Sequence, residues 1–318
     1  MYKEKVFDAG KYDFIGKAKY IVPAWTLLMF IGIFAIGYKG LNYGIDFAGG
    51  TEIQVQFQNS VEAEMVRKTT SDLGYHKASV QSFGDNNEFL LRMEAIQGKD
   101  DKETNELQLA MITKVTEGLK ENIKDNVLEI RRVDSVGPQV GDELKRNSIL
   151  ATFYSLLMIL IYIGIRFDYK YAPGAVFCLL HDAIIMVAIY AVFEREVNVQ
   201  TMAAILALIG HSLNDTIVNF DRIRENEHIH KGENFLKIVN RSVNDMLSRT
   251  ILTSVATELA VIALYFLSDG VIQQIAFTLG IGIVLGTYSS IYIASPLVIA
   301  VDHLEQKRAR ARMRTVKA

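Results

Sequence analysis

Six long apolar runs dominate the pattern of hydrophobic and polar positions along the chain. Each run is close to or above the roughly 18 to 20 residues that a helix needs to cross the hydrocarbon core of a bilayer. The runs cover residues 20–38, 149–165, 171–193, 199–220, 250–267 and 272–301. The pattern predicts a polytopic α-helical membrane protein with six transmembrane helices, the first over residues 20–38 and the other five bundled within residues 149–301.

Basic residues near the ends of these runs predict the orientation. Lys and Arg collect in residues 1–19, in the loop 221–248 and in the tail 302–318, whereas the turns 194–198 and 268–270 contain few of them. Because cytoplasmic segments carry the excess of Lys and Arg, both termini are predicted to be cytoplasmic. The basic tail is expected to contact membrane lipids with anionic headgroups.

The segment 39–148 is therefore expected on the outer side, where its pattern predicts a compact α+β domain. Ile53, Val55 and Phe57 alternate with polar residues, as in a half-buried strand. The other predicted strands cover 78–83, 88–93 and 127–133, and the two predicted helices carry Val61, Met65 and Leu73 and then Leu107, Met111, Val115 and Leu119. The order βαββαβ predicts a ferredoxin-like sandwich. The domain lacks a residue pattern typical of catalysis, so no enzyme activity is expected.

Two glycine-rich joints connect this domain to the membrane helices. One contains Gly44, Gly49 and Gly50, and the other contains Gly137 and Pro138. Because glycine adopts backbone angles that a side chain forbids, flexible hinges are one interpretation of these joints. Ordinary tight turns are an equally good one.

Charge and cysteine content narrow the classes of function. The formal net charge is -2, which argues against a nucleic-acid-binding protein, because such proteins present a basic face to phosphates. The single cysteine, Cys178, lies within the third apolar run, so no intrachain disulfide can staple the outer domain.

The fourth apolar run contains a polar stripe. His211, Asp215 and Asn219 are four residues apart and share one face of a helix, and Asn214 lies beside them. Ionisable side chains inside a membrane are costly and usually mark functional sites that face the interior of a helix bundle. The alternative is that Asp215 lies near the cytoplasmic end of its helix, within reach of headgroup water.

The fifth run carries a complementary charge. Arg249 and Asp215 are expected at similar depth in the cytoplasmic half of the membrane, and Thr253 and Thr257 continue the face of Arg249. Burial favours the neutral form of a carboxyl group and a nearby arginine favours the charged form, so proton affinity could change with their separation. The alternative for Arg249 is a side chain that reaches out to the interface from a helix end.

Further polar residues within the runs have two interpretations each. His181 and Asp182 lie midway along the third run, and at least one of them is expected to face the bundle. Glu258 is predicted either as a neutral, hydrogen-bonded acid or as part of a proton relay. No metal-ligand pattern is present in the sequence.

Two other patterns predict packing. Gly282, Gly286 and Ser290 recur at a spacing of four, which allows close approach of helices. Residues 234–247 combine apolar and basic positions at helical spacing and are expected as an amphipathic helix on the cytoplasmic face.

Three sequence strings carry a resemblance to a known family. GIDFAGGTEI, VGPQVGDELKRNSILA and IGHSLNDTIVNFDRIREN resemble signature segments of the SecF family, a branch of the resistance-nodulation-division superfamily. The resemblance implies an accessory subunit in the cytoplasmic (inner) membrane that uses the proton-motive force to promote late steps of protein export. It implies SecD, the SecYEG channel and exported polypeptides as partners, with YajC and YidC as further candidates.

The same resemblance implies that Asp215 and Arg249 form the proton relay. No cofactor is expected beyond the proton gradient, with sodium as the alternative ion. This sequence departs from the family pattern at His211, Asn219 and Glu258, which leaves the details of the ion route open. Two other classes of function are alternatives: half of a small-solute transporter of the same superfamily, and a membrane-held binding module without energy coupling.

Overall fold

The computed structural model describes residues 11–82, 87–123, 126–168 and 170–316. Three parts of the predicted segments lie outside these ranges. They are residues 1–10 of the basic N-terminal segment, residue 83 at the end of the strand predicted over 78–83, and residues 317–318 of the tail. Within the described ranges, six stretches of helix are long and apolar enough to cross a membrane, in agreement with the six predicted runs. The helices and helical segments that form them are α1 (Phe14–Lys39), α5 (Pro138–Arg166), α6 (Ala172–Val192), α7 (Val199–Ile229), α8 (Phe235–Leu267), α9 (Gly270–Ser289), the π segment (Ser290–Ala294) and α10 (Ser295–Val316).

Several helices extend beyond their apolar runs, because polar residues continue a helix into water. The helix α1 begins at Phe14 instead of residue 20. Asp13 caps its start, because the side chain of Asp13 accepts a hydrogen bond from the backbone N–H of Gly16. The helix α5 begins at Pro138 instead of residue 149. Proline suits the first turn of a helix, where its missing N–H costs nothing. Residues 138–148, predicted as part of the outer segment, therefore belong to a membrane helix.

The prediction of a separate amphipathic helix over residues 234–247 is wrong. The structure has one continuous helix, α8, which begins after Asn234 accepts a hydrogen bond from the backbone N–H of Leu236. Val239 and Val243 on its apolar face are buried. That face packs inside the protein, and the same helix then continues into the fifth membrane span.

The membrane helices divide into a central and a peripheral set. The helices α6 and α7 and the sixth stretch, which starts with α9, bury half or more of their most apolar segments, whereas α1, α5 and α8 bury 17% or less of theirs. Close packing between α7 and α9 depends on glycine: a Cβ at Gly282 would lie 2.6 Å from Cδ1 of Leu208, and one at Gly286 would lie 2.9 Å from Cβ of Ser212. The predicted role of these glycines in close helix approach is confirmed.

Between α1 and α5 the chain forms a compact α+β unit, residues 50–136. Its elements are β2 (Gly50–Phe57), α3 (Ala63–Asp72), β3 (Ser79–Ser82), β4 (Glu88–Met93), α4 (Asp101–Asn122) and β5 (Leu128–Val136). The sheet order is β3-β4-β2-β5, with antiparallel neighbours throughout. Ile53, Val55 and Phe57 are buried as the alternation predicts. The βαββαβ order of the sequence prediction is present.

The predicted apolar face of the first helix in this unit is partly wrong. Met65 is 46% exposed and Val66 is fully buried instead. The helix starts only at Ala63, so Val61 precedes it and does not belong to its periodic pattern. On α4 the predicted residues Met111, Val115 and Leu119 are buried, whereas Leu107 is exposed.

Short segments tie this unit to the helices. After α1 come β1 (Asn42–Tyr43) and the single turn α2 (Ile45–Ala48), and β1 pairs in parallel with β6 (Glu196–Val197) in the turn between α6 and α7. The two predicted joints contact each other, because a Cβ at Gly49 would lie 3.1 Å from Cα of Pro138. Gly49 has a φ of 71° and Gly50 one of 136°, so both positions require glycine. Gly137 alone separates β5 from α5. Hinge motion at these joints stays a prediction.

Candidate functional site

Asp215 lies on the buried side of α7, in the interior of the helix bundle. Asn198 starts this helix by accepting a hydrogen bond from the backbone N–H of Thr201 at 2.8 Å, and the helix continues without interruption to Ile229. Asp215 is 6% exposed, and its buried Oδ2 has no hydrogen-bond partner among the described residues. The two interpretations of Asp215, a functional group inside the bundle and a residue within reach of headgroup water, both stay predictions.

The predicted stripe around Asp215 is only partly buried. His211 is half-buried, and its Nδ1 has no hydrogen-bond partner in the part of the chain that the structure describes. Asn219 is buried, whereas Asn214 is exposed. His211 and Asn219 thus share the face of Asp215, and Asn214 faces the surroundings.

Arg249 lies on an exposed face of α8. Thr253 and Thr257 share that exposed face, as the sequence predicts, and their hydroxyl groups donate to backbone carbonyls of α8 one turn earlier. Asp215 interacts electrostatically with His211 on its own helix and, more weakly, with Arg249. No ion pair within 4.0 Å joins the two side chains in the described ranges. The structure therefore places them near each other without direct contact.

A second polar cluster lies at the meeting of α6, α7 and α9. Asp182 is fully buried, and His181 is 2% exposed. Oδ1 of Asp182 lies 3.0 Å from Nδ1 of His181, and Oδ2 accepts hydrogen bonds from Ser212 at 2.5 Å and Ser289 at 2.8 Å. Both residues predicted at the middle of the third run thus face the bundle.

Sequence reasoning missed the two serines of this cluster. Ser212 lies three residues before Asp215 on α7, and Ser289 lies three residues after Gly286 on α9. Each serine lies one helical turn from a residue that the sequence analysis names, Asp215 or Gly286. That spacing is the signal by which the serines could have been predicted. Through Ser212, the cluster around Asp182 is connected to the helix that carries Asp215.

Asn219 contacts the irregular part of the sixth membrane stretch. Its Nδ2 donates to Oγ of Ser295 at 2.7 Å and lies 3.4 Å from the carbonyl oxygen of Ser290. Ser290 begins the π segment, in which the regular pattern of helix hydrogen bonds is broken. The amide of Asn219 thus binds two groups of this segment, Ser295 and the carbonyl of Ser290, and that carbonyl also accepts a hydrogen bond from the hydroxyl of Ser295 at 3.1 Å.

Glu258 stands apart from both clusters. It is half-buried on α8, and its Oε2 is buried without a hydrogen-bond partner in the described part of the chain. Its Oε1 would lie 3.3 Å from a Cβ at Gly280 on α9. The neighbouring helix that was expected to hydrogen-bond Glu258 instead presents a glycine, and both predicted roles of Glu258 stay open.

Within the described residues, no group of three or more His, Cys, Asp or Glu side chains could hold a metal ion. The sites described above contain buried carboxyl, imidazole and hydroxyl groups, together with the exposed guanidinium group of Arg249. Such groups bind, release and orient protons.

Comparisons with known proteins identify the family. The profile of the family described as "Protein export membrane protein SecD/SecF, C-terminal" matches residues 115–304, and that of the "SecD/SecF GG Motif" matches residues 34–61. The protein translocase subunit SecF of Magnetococcus marinus is 42% identical over 303 residues, which cover 95% of this chain and 96% of the relative. The chain belongs to the SecF family.

Other SecF relatives and solved structures agree. The subunit SecF of Calditerrivibrio nitroreducens is 41% identical, with 96% of this chain and 98% of the relative covered. The crystal structure of SecDF from Thermus thermophilus superposes with a TM-score of 0.79 at 33% identity, covering 92% of this chain. This SecF-family chain spans 39% of that SecDF chain. A second SecDF structure, in a form called super-membrane-facing, gives a TM-score of 0.65 at 33% identity, with 96% of this chain and 40% of that chain covered.

Proposed function

We propose that this SecF-family chain couples the proton-motive force to late steps of protein export, with Asp215 as the proton-binding group and Arg249 as the charge that tunes it. Membership of the SecF family gives the chain an accessory role in Sec protein export. It is a multi-pass membrane protein and a translocase subunit by family. We propose that it catalyses no reaction of its own.

The observation that carries the coupling proposal is the buried, unpartnered Oδ2 of Asp215. A carboxylate oxygen without a hydrogen bond in a membrane interior favours the protonated form of the group. Arg249, within electrostatic range but not in contact, favours the ionised form. A change in the distance between α7 and α8 would then change the proton affinity of Asp215, which is the requirement for alternate binding and release.

The exposed polar face of α8 supports SecD as the partner. Arg249, Thr253 and Thr257 would meet lipid if this chain acted alone, and a charged side chain in hydrocarbon costs about 3 kcal/mol on insertion scales. Asn214 on α7 is exposed as well. We propose that the membrane helices of SecD cover this surface.

The proposed orientation rests on the excess of Lys and Arg in the segments predicted to be cytoplasmic. We propose that the α+β unit is a ferredoxin-like sandwich on the outer side of the cytoplasmic membrane, with both termini cytoplasmic. Its strand order β3-β4-β2-β5 agrees with the split βαβ arrangement of that fold. We propose the SecYEG channel, YajC and YidC as further partners. We propose exported polypeptides as the chains that the complex helps to translocate.

The test is export in membrane vesicles that contain the full chain together with SecD. We expect a proton gradient to stimulate export by the parent protein and to have no effect with Asp215→Asn or Arg249→Ala. Asp269→Asn, at the start of α9 where the side chain forms no capping hydrogen bond, and Arg67→Ala, on the exposed surface of α3, are the matched controls. Normal stimulation in both relay variants would remove the proposed relay. Stimulation by a sodium gradient alone would identify sodium as the ion.

Cysteine crosslinking tests the partner. Cysteines at Asn214 or Thr257 are expected to crosslink to the membrane helices of SecD, and the natural Cys178 does not interfere because it is buried. Crosslinks between copies of this chain alone would instead favour half of a homodimeric small-solute transporter.

A further inference from the structure

The turn between α6 and α7 projects a buried charge against the sheet of the α+β unit. Glu196 forms an ion pair with Arg92 of β4, and both side chains are less than one-fifth exposed, at 16% and 18%. The same guanidinium lies 3.4 Å from Glu52 on β2, and Gln81 of β3 lies 3.5 Å from Glu196. Side chains from three strands of the sheet therefore surround the carboxylate of Glu196, which lies in the turn that connects α6 to α7.

The backbone of Glu196 is fixed to the membrane helices. Its carbonyl oxygen accepts hydrogen bonds from Gln274 of α9 at 2.8 Å and from Thr201 of α7 at 3.2 Å. Asn42 of β1 pairs with Glu196 in the short parallel sheet. A displacement of the Glu196 side chain would therefore be transmitted to the first turn of α7.

A second contact joins the start of α7 to the segment that leads into the sheet. Oδ2 of Asp46 in α2 accepts a hydrogen bond from the backbone N–H of Val199 at 3.2 Å. Val199 is the first residue of α7, so this carboxylate contacts the positive end of the helix. The outer end of α7 is thus held from two sides by residues that precede or belong to the α+β unit.

The helix α7 connects this end to Asp215 without a break. Val199 and Asp215 are separated by about 24 Å along the axis of an uninterrupted α-helix, at a rise of about 1.5 Å per residue. The helix has no break over this length, so a displacement of its outer end can be transmitted along its axis. A shift or tilt at its outer end changes the position of Asp215 relative to Arg249 on α8.

The interface around the ion pair is open and polar, which permits movement. A cavity of about 560 Å³ separates the sheet from the outer ends of the membrane helices. Its other charged lining residues are Arg132 and Asp134 on β5 and Glu194 and Arg195 in the turn. Polar contacts beside a water-accessible cavity can exchange partners more readily than a packed apolar interface.

We propose that the Arg92–Glu196 ion pair is the latch through which the α+β unit positions α7, and with it Asp215. This latch is a positioning device and rests on the proposed function of Asp215. The predicted hinges at residues 44–50 and 137 would let the unit move, and the latch would transmit that movement to α7. Arg92 and Glu196 therefore contribute to coupling without contacting the proton.

Charge reversal of each partner, alone and together, tests the latch in the full chain with SecD. Arg92→Glu and Glu196→Arg are each expected to lose roughly tenfold in gradient-dependent stimulation, while export without a gradient is unchanged. The double variant is expected to recover most of the stimulation, because it restores an ion pair between the same positions. A merely structural role would lower both kinds of export together.

The control is a surface ion pair confined to the α+β unit. Lys77 and Glu94 lie 3.0 Å apart and are both exposed, so Lys77→Glu and Glu94→Lys should leave stimulation intact. If a reversed variant fails to accumulate, Glu196→Gln decides the question, because it removes the charge and retains the size of the side chain.

The outcomes separate the latch from the proposed function. If the parent protein shows no stimulation by a gradient, the proposed function and the latch both fail. If the parent is stimulated and the single variants, or Glu196→Gln in their place, keep full stimulation, the latch alone is overturned. A double variant that recovers no more than either single variant also overturns the pairwise assignment.

Discussion

Ser212 donates a hydrogen bond of 2.5 Å to Oδ2 of Asp182 and thereby joins the helix of Asp215 to the third membrane helix. Ser289 of α9 donates to the same oxygen at 2.8 Å. Three central helices thus meet at one buried carboxylate. Hydrogen bonds therefore hold α7 against α6 and α9. Toward α8, no ion pair joins Asp215 to Arg249 within the described residues.

The first prediction concerns this buried carboxylate. Asp182→Ala leaves the hydroxyl of Ser212 and the ring of His181 without their hydrogen-bond partner, and a buried polar group left without a hydrogen bond costs roughly 1 to 3 kcal/mol. We expect a clear drop in the thermal unfolding temperature of the purified chain in detergent. Asp269→Ala removes an aspartate whose side chain forms no capping hydrogen bond and should cost about 0.5 kcal/mol or less. Equal stability of the two variants would contradict the structural role of Asp182.

The second prediction concerns the approach of α7 and α9. A Cβ at Gly286 would lie 2.9 Å from Cβ and 3.2 Å from Cα of Ser212. Because a backbone atom is among the neighbours, Gly286→Ala should force the helices apart and cost about 1 to 3 kcal/mol of stability.

The control for this substitution is Gly164→Ala. A Cβ at Gly164 on α5 would meet no atom within 4 Å. Alanine should there be neutral or stabilise the helix by up to about 1 kcal/mol. Thermal unfolding of both variants checks the pair, and an unchanged Gly286→Ala variant would show that the two helices can separate at little cost.

The third prediction is that residues 50–138 fold alone as a soluble, monomeric unit. The unit has its own core, in which Ile53, Val55, Leu91 and Val115 are fully buried. Its length of roughly 90 residues makes the stability modest. Far-ultraviolet circular dichroism should show mixed α and β structure with a cooperative thermal transition. Val55→Asp places a charge in this core and should abolish the transition, and an unfolded spectrum of the parent fragment would refute the domain boundary.

The fourth prediction concerns pH. Burial raises the pKa of Glu52 above its ordinary value of 4.5; Arg92 opposes this shift, and the carboxylates of Glu196 and Asp134 add to it. A raised pKa in the folded state means that the folded protein binds this proton more readily than the unfolded chain does. The ionised form at neutral pH therefore disfavours folding, and the penalty disappears as the pH falls through the raised pKa toward 4.5.

Glu52→Gln removes this penalty, so the variant should unfold at a higher temperature than the parent at pH 7. The advantage should shrink as the pH approaches 4.5. Thermal unfolding of the full chain at several pH values measures this gap, with Glu94→Gln as a control for loss of one exposed carboxylate in the same unit. If the difference in unfolding temperature between Glu52→Gln and the parent widened on acidification, the pKa of Glu52 would be lowered in the folded protein and not raised.

Much of this architecture could be predicted because its signals are local. Long apolar runs define six membrane helices, and alternation at Ile53, Val55 and Phe57 defines a strand with one buried face. The spacing of Gly282 and Gly286 predicts close packing for the same reason, since helical periodicity places both residues on one side. A position facing the bundle interior was one of the two interpretations of Asp215 that the sequence allowed, and its neighbour Asn214 in the same apolar run is exposed.

Other features depended on tertiary structure, because they join residues that are far apart in the chain. The acceptor role of Asp182 toward Ser289 requires the relative rotation of α6 and α9, and the ion pair of Arg92 with Glu196 requires the docking of a sheet on a turn. Periodicity gives the face of each element but not its neighbour. The sequence by itself determined which helices cross the membrane and where the carboxylates lie along them. Only the packing of those helices decided that Asp182 is fully hydrogen-bonded, that Oδ2 of Asp215 is without a partner among the described residues, and that Arg249 is on an exposed face.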